Sequence, residues 1–281
     1  MAKTFFDTIK KTLLTEEEMK TIDRDLTFRP VGTDTAQTLT VEQIERFNRD
    51  GFLLPLPFFD VQEIKTFRRY FDQIIGEALS SDADSYSIVD PHLSYGTIYD
   101  LMFDPRLVAY AEDLIGPDIV CWSTHYFCKM PHDDRQVAWH QDAYYWPFTP
   151  SQTVTVWLAV DDADCENACM QFVKGSHRIG TIPHRLSREE EKNVLRVTVD
   201  NVETLGEIAD VALRAGQISM HSDMLLHGSG ANTSDRRRCG LTLRYVNAHV
   251  KDLRDWSTHG VRIRGDQHAG QWGDPRRPGR D

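Results

Sequence analysis

Residues Thr153-Val154-Thr155-Val156-Trp157-Leu158-Ala159-Val160 alternate without a break. The even positions are all aliphatic, and the odd positions carry two threonines, a tryptophan and an alanine. Successive side chains of a strand point to opposite faces, so this stretch is a strand with one dry face and one face of hydroxyls and an indole. The second face fits the inside of a barrel mouth or a partly solvated outer face equally well. The aliphatic face must in either case be covered by another layer. Further strand candidates follow Pro117, at 119–130, 136–139, 169–173, 195–199, 211–213, 217–220 and 238–246. That many short strands with turns between them predict a double-stranded β-helix, or jelly roll. Helical patterns precede them at 41–48, 61–78, 97–102 and 105–114. In the second, Ile64, Phe67, Tyr70, Phe71, Ile74 and Ile75 share one side. The expected class is mainly β with flanking helices (α+β), the helices covering the outside of one sheet.

One of these strands leads into chemistry. Gln136 to Trp139 runs into His140-Gln141-Asp142 and then the aromatic run Tyr144-Tyr145-Trp146-Pro147-Phe148. Residues i and i+2 of an extended chain face the same way, so His140 and Asp142 can present an imidazole and a carboxylate to one point. That is two thirds of the triad of two histidines and one carboxylate that holds Fe(II) with open positions. Taken alone, the pair is equally a surface pair or a His–Asp hydrogen bond.

Further along stands Gly216 to Asn232, with His227-Gly228-Ser229, and then Arg236-Arg237-Arg238. Together with H-Q-D at 140–142, Trp157, the Gly-Ser-His turn at 175–177, Asn232 and Arg238 eleven positions after His227, this resembles the phytanoyl-CoA dioxygenase family of Fe(II)/2-oxoglutarate-dependent oxygenases. The likeness runs from about Phe47 to Val246. It implies a cupin-like jelly roll and three cofactors or cosubstrates: Fe(II), 2-oxoglutarate and O2. His140, Asp142 and His227 would then be the metal ligands. Arg238 would be the fixed cation for the far carboxylate of 2-oxoglutarate, helped by Ser229; a guanidinium suits that role by bidentate geometry and permanent charge. Trp157 and Gln141 match family positions near the cosubstrate, which favours the barrel interior for the odd face of 153–160. The implied activity is a dioxygenase that hydroxylates an unactivated C–H bond with release of succinate and CO2. Asn232 would hold the loop after His227. Ala168 stands where the family often has glycine, a small cost unless the backbone there needs positive φ.

Several residues are read without the family. Lys129, ending the strand before H-Q-D, is a candidate for the C1 carboxylate of 2-oxoglutarate, or else a snorkelling edge lysine. Tyr144, Tyr145 and Trp146 follow Asp142 closely enough to be substrate contacts, with core packing the competing role for Trp146. Arg244 lies six positions after Arg238, an even number, so on an untwisted strand it shares Arg238's face; fraying would leave it in solvent instead. Facing inward, it would make the substrate a small polar or anionic metabolite. His177 and His184 are expected to be structural or pocket-lining, and Arg236 and Arg237 solvated. Cys165 and Cys169 are a possible metal pair, but with no second Cys/His pair at zinc spacing they are expected to be idle thiols.

Composition sets the outer limits. The 281 residues carry a net charge of −11, which speaks against a nucleic-acid partner. No apolar run is long enough for a bilayer, so no membrane partner is expected. Five cysteines, an odd number, fit a reducing cytoplasm rather than a disulfide framework. Without a peroxisomal tripeptide at its end, the chain reads as a small-molecule hydroxylase rather than a peroxisomal fatty-acyl enzyme. The expected organisation is an N-terminal arm at 1–40, a jelly-roll domain at 41–263 and a tail at 264–281 with little to bury, as a monomer or homodimer. The other classes considered are a non-catalytic metal- and 2-oxoglutarate-binding sensor of the same fold, and a metal-dependent isomerase or hydrolase, which would not need Arg238.

Overall fold

The computed structural model describes residue 18 and residues 21–254, 256–265 and 271–281. The helical spacing of Phe5, Ile9 and Leu13 and the capping pattern beginning at Thr15 lie outside the described residues. Helix α1 spans Val41–Asp50 and leads into strand β1, Phe52–Pro57. Thr40 and Gln43 cap α1 reciprocally, and Gly51, at φ 88°, ends it where a side chain would be strained. Helix α2, Val61–Ser80, starts on Asp60 and Glu63 in the same way and buries Ile64, Phe67, Phe71, Ile74 and Ile75. Helices α3, Gly96–Leu101, and α4, Pro105–Ile115, complete the outer layer.

Among the described residues, β1 and nine later strands build the two main sheets: β2 Ile119–Lys129, β3 Val137–His140, β4 Thr153–Ala159, β5 Met170–Val173, β6 Ile208–Val211, β7 Gln217–Ser222, β8 His227–Ser229, β9 Arg238–Asn247 and β10 Val261–Arg264. The larger sheet has the order β1-β7-β4-β9-β2-β10 and the smaller β3-β8-β5-β6, with antiparallel pairing throughout. Two such sheets facing each other make the jelly roll.

The alternation in β4 does what its pattern demands. Val154, Val156 and Leu158 pack with Phe67, Phe71 and Ile74 of α2 in the main core. Thr155 and Trp157 face inward and line a cavity between the sheets, which decides between the two placements open in the sequence. Register carries that inner face across the sheet: Trp157 stands beside Thr242 on β9 and Ser219 on β7, and Thr155 beside Arg244 and His221. The indole crosses Gly240, where a Cβ would lie 2.0 Å from Trp157 Cε2. Glycine is required there by close approach, not by backbone conformation.

Several expectations are corrected. β3 extends to His140, and His227 opens a strand that was not among the candidates, because each pairs with the other. Three-residue β8 was too short for its alternation to show. The strand at 195–199 shrinks to Val197–Thr198, and that at 211–213 ends at Val211. The C-terminal residues bury more than their composition promised. Trp272 is 4% exposed and packs with Trp122, Trp146 and Phe148. Arg277 pairs with Asp100, and the Arg280 carbonyl accepts from Gly96 N–H. The described part of the arm also packs on the core. Asp113 accepts from the backbone N–H groups of Gln37, Thr38 and Leu39, and Arg24 donates to the carbonyls of Ala143 and Trp146. Among the described residues no helix is long and apolar enough to cross a membrane.

Gly240→Ala tests the packing argument. A methyl group driven into the Trp157 ring should cost about 1–3 kcal/mol, the usual range for overpacking a core. Urea denaturation should show the loss as a lower midpoint with an unchanged slope.

Candidate active site

Two strands of the smaller sheet bring the two histidines together. His140 ends β3 and His227 opens β8, and they are direct cross-strand partners with ring centroids 4.2 Å apart. Each imidazole is fixed by the same local device. His140 Nδ1 lies 2.8 Å from the Ala138 carbonyl, and His227 Nδ1 lies 2.9 Å from that of Leu225. A carbonyl can only accept, so each Nδ1 carries the hydrogen and each Nε2 keeps its lone pair for a metal. Asp142 begins the turn after β3, with Oδ1 3.6 Å from His140 Nε2. Thr155 of the opposite sheet donates to Asp142 Oδ2 at 3.2 Å. The ligand atoms of His140, Asp142 and His227 lie within 4.8 Å of one another, and all three residues are buried.

This donor set fits a divalent iron. Burial works to raise the Asp142 pKa, but the imidazoles of His140 and His221 and the charge of Arg244 hold it well below the carboxylate range. His227 is driven the other way, chiefly by burial, so its ring stays neutral. An ionised carboxylate and neutral imidazoles are the forms that ligate.

Further in, Arg238 is 1% exposed. Its Nε and Nη2 both donate to the Ala168 carbonyl, at 2.9 and 2.6 Å, and its guanidinium lies 5.6 Å from the Trp157 ring centre. Among the described residues no carboxylate forms an ion pair with it. A buried guanidinium satisfied by one carbonyl and an indole face can receive an anion, and the cavity that contains it also contains the triad. Ser229 and Trp157 line the same cavity. Ala168 has φ 61°, so this position does need the left-handed region, and the alanine bears that strain. The departure from glycine therefore touches Arg238 through the Ala168 carbonyl.

The other residues named from the sequence fall into three groups. Arg244 does face inward: it is 8% exposed, lines the cavity, donates through Nη1 to Ser123 Oγ at 3.2 Å and leaves Nε without a partner. Gln141 does not reach the cavity. Its amide donates to the carbonyls of Gly180 and Met224 and accepts from Ile182 N–H, so it ties loops together and has nothing left for a cosubstrate. Lys129 is neither a snorkelling lysine nor placed for the C1 carboxylate. It is wholly buried, stands directly across the ladder from Arg238, donates to the Arg135 carbonyl and does not line the cavity.

In the aromatic run, none of Tyr144, Tyr145 and Trp146 is a wall of the cavity, and Tyr145 packs edge-on against His140 with ring centroids 5.9 Å apart. Trp146 packs into the cluster with Trp122 and Phe148, Tyr144 stacks on His184 at 4.1 Å, and Tyr145 OH reaches Val197 N–H. His177 reaches the Asn48 carbonyl through Nε2, a structural role, and Asn232 donates to the carbonyls of Met130 and Arg236, holding its loop. Arg237 is not solvated; it is paired with Asp161 and Asp72. Sequence reasoning missed His221, which lines the cavity with Nε2 3.8 Å from Asp142 Oδ2. Its signal was the alternation of Ser219 and His221 with Ile218 and Met220.

A jelly roll with an inward triad of two histidines and one carboxylate, and a buried arginine at the far end of the same cavity, defines the class of Fe(II)/2-oxoglutarate-dependent oxygenases. Residues 47–240 match the family model of phytanoyl-CoA dioxygenase, and the chain belongs to that family. It is 23% identical over 248 residues to the peroxisomal phytanoyl-CoA dioxygenase of Bos taurus, covering 79% of this chain and 74% of that protein. It is 24% identical over 245 residues to a probable alpha-ketoglutarate-dependent hypophosphite dioxygenase of Stutzerimonas stutzeri, covering 78% and 82%. Among solved structures, the apo form of the non-heme monooxygenase ThoJ superposes with a TM-score of 0.66 at 27% identity, covering 84% of this chain and 88% of that one. The protein is a dioxygenase that uses Fe(II), 2-oxoglutarate and O2.

Arg238→Ala should weaken 2-oxoglutarate binding by about 2–5 kcal/mol, the usual cost of removing one member of a buried charge pair. The absorption band of the iron–cosubstrate complex, titrated with 2-oxoglutarate, measures it; an unchanged affinity would mean that another cation holds the far carboxylate.

Lys129 gives a pH-dependent expectation. Burial, and then the charge of Arg238, lowers its pKa from 10.5 to about 6. Between those values the unfolded chain holds a proton that the folded chain lacks, so this lysine makes folding less favourable as pH falls. Lys129→Met should therefore stabilise the protein, by an amount that grows from pH 10 toward pH 6 and is level below it. Denaturation midpoints of both proteins across that range check the sign.

Proposed function

We propose that this enzyme hydroxylates an unactivated C–H bond of a small polar or anionic metabolite, releasing succinate and CO2. Bound at the triad, Fe(II) supplies the activation of O2 that oxidatively decarboxylates 2-oxoglutarate. The rest is the work of the chain. His140, Asp142 and His227 would hold the metal. Arg238, with Ser229, would fix the far carboxylate of 2-oxoglutarate and so aim its keto acid end at the metal. Trp157 lies beside this anchor and excludes water from it. Asp142 fills the carboxylate position, which supports hydroxylation over halogenation, since a halide needs that position vacated.

The observation that carries the substrate class is Arg244. It is a second buried cation in the same cavity, with no carboxylate in ion-pair range among the described residues, an unpartnered Nε and the rings of Trp122 and Trp146 at 5.8 and 5.5 Å. Burying a charge is costly unless it is paired, and an anionic group on the substrate would pair it. The bacterial relative named for hypophosphite offers a parallel for a small anion in this fold.

A screen of carboxylates, phosphonates and phosphorus oxyanions, read by succinate formation with Fe(II), ascorbate and 2-oxoglutarate present, tests the reading. His227→Ala should abolish both iron binding and succinate formation. With a substrate in hand, Arg244→Ala should raise its KM at least tenfold while leaving 2-oxoglutarate affinity alone. A KM indifferent to that change would remove the anionic substrate, and a chlorinated product in chloride buffer would remove hydroxylation.

A further inference from the structure

The turn that anchors Arg238 carries a second cluster of donors on its outer side. Residues 164–170 leave the core edge as a tight turn, held by Asn167. Its Oδ1 accepts from Asp164 N–H and its Nδ2 donates to the Asp162 carbonyl, both at 2.8 Å. The Cys169 N–H closes the turn on the Asp164 carbonyl. Cys165 is exposed and Cys169 buried, and β6 brings Asp210 alongside through its ladder with β5. Cys165 Sγ, Cys169 Sγ and an Asp210 oxygen lie within 4.8 Å of one another. Gln171 Nε2 donates to Asp210 Oδ1 at 2.8 Å and turns the other oxygen, Oδ2, toward Cys165 Sγ at 3.3 Å. A tetrahedral zinc, with sulfur at about 2.3 Å and oxygen at about 2.0 Å, sets such a pair about 3.5 Å apart.

We propose that Cys165, Cys169 and Asp210 form a second metal site, taking a thiophilic divalent cation such as Zn2+ with water or a further ligand in the open position. Two thiols and a carboxylate converging on one point repel one another once ionised, and a divalent cation turns that repulsion into ligation. Asp210 pushes the Cys165 thiol up from its ordinary pKa, and burial pushes Cys169 up to about 12. A cation must therefore displace two thiol protons, so its affinity rises with pH. Ala168, whose carbonyl holds Arg238, immediately precedes Cys169 in the chain. Occupancy fixes the turn that positions this carbonyl. The site thus gives a metal other than iron a route to the 2-oxoglutarate pocket without competing for His140, Asp142 and His227. The oxygenase triad contains no sulfur, so the two sites are distinguishable by their spectra.

Cobalt(II) is the probe, added anaerobically to the reduced full-length protein. A near-ultraviolet thiolate-to-cobalt charge-transfer band should appear in the wild type and in His140→Ala, and strengthen as pH rises. It should vanish in Cys165→Ser, where the altered side chain is exposed and the fold undisturbed, and weaken at least tenfold in affinity in Asp210→Asn. Zn2+ added to the cobalt form should bleach the band. Absence of the band in the wild type, or its survival unchanged in Cys165→Ser, would overturn the site. Neither outcome bears on iron at the triad, which is read separately by iron binding in the same Cys165→Ser variant.

Discussion

Arg238 is a permanent charge with almost no access to water, and the surrounding chain is arranged to tolerate it. Desolvation opposes the charged form, and a guanidinium does not escape that penalty by losing its proton. The protein gives it one carbonyl and one aromatic face, and each has its own cost. The carbonyl is that of Ala168, held at a φ that alanine resists. The aromatic face is Trp157, which fits only because residue 240 has no side chain. Lys129, opposite Arg238 in the ladder, lowers the local charge by being depressed toward its neutral form. What remains unsatisfied is an anion, a place that the proposed reading gives to 2-oxoglutarate.

The metal end uses a different economy of means. The two ligand histidines need no side-chain partners to set their tautomers, because each donates to the carbonyl two residues behind it on its own chain. Pairing of β3 with β8 then sets their separation. Asp142 is the member that spans the sheets, tied by Thr155 to the larger one. The smaller sheet therefore sets ligand spacing, while the larger sheet steadies the carboxylate and supplies Trp157, Arg238 and Arg244 to the cavity.

The period of a strand explains what could be read from the chain alone. Alternation in 153–160 separated the core face from the cavity face, and an even spacing put Arg244 on the side of Arg238. Both hold because side chains alternate strictly along a strand. What was not legible depends on partners distant in the chain. The left-handed backbone of Ala168 follows from the turn closed by Asn167. The approach of Asp210 to the cysteine pair follows from the β5–β6 ladder. Gln141 and Lys129 had plausible side chains for a cosubstrate, but a side chain's type does not say which carbonyl it will meet. Trp146 and Phe148 of the aromatic run were drawn away by Trp122 and Trp272, residues near neither them nor each other in sequence.

The charges explain how an acidic protein can take anionic ligands. The chain as a whole carries −11, and a dianionic cosubstrate gains nothing from that field. At physiological ionic strength, exposed charges are screened beyond roughly 8 Å, whereas buried ones are screened far less. Arg238 and Arg244 lie on one inner face, six residues apart on a strand that rises about 3.4 Å per residue. They are therefore separated by about 20 Å along β9, with the triad facing the same cavity. One cation, Arg238, marks the deep end. The other stands at the level of Thr155 and His221, beside the metal ligands. A ligand in this cavity thus meets two fixed positive charges at two depths.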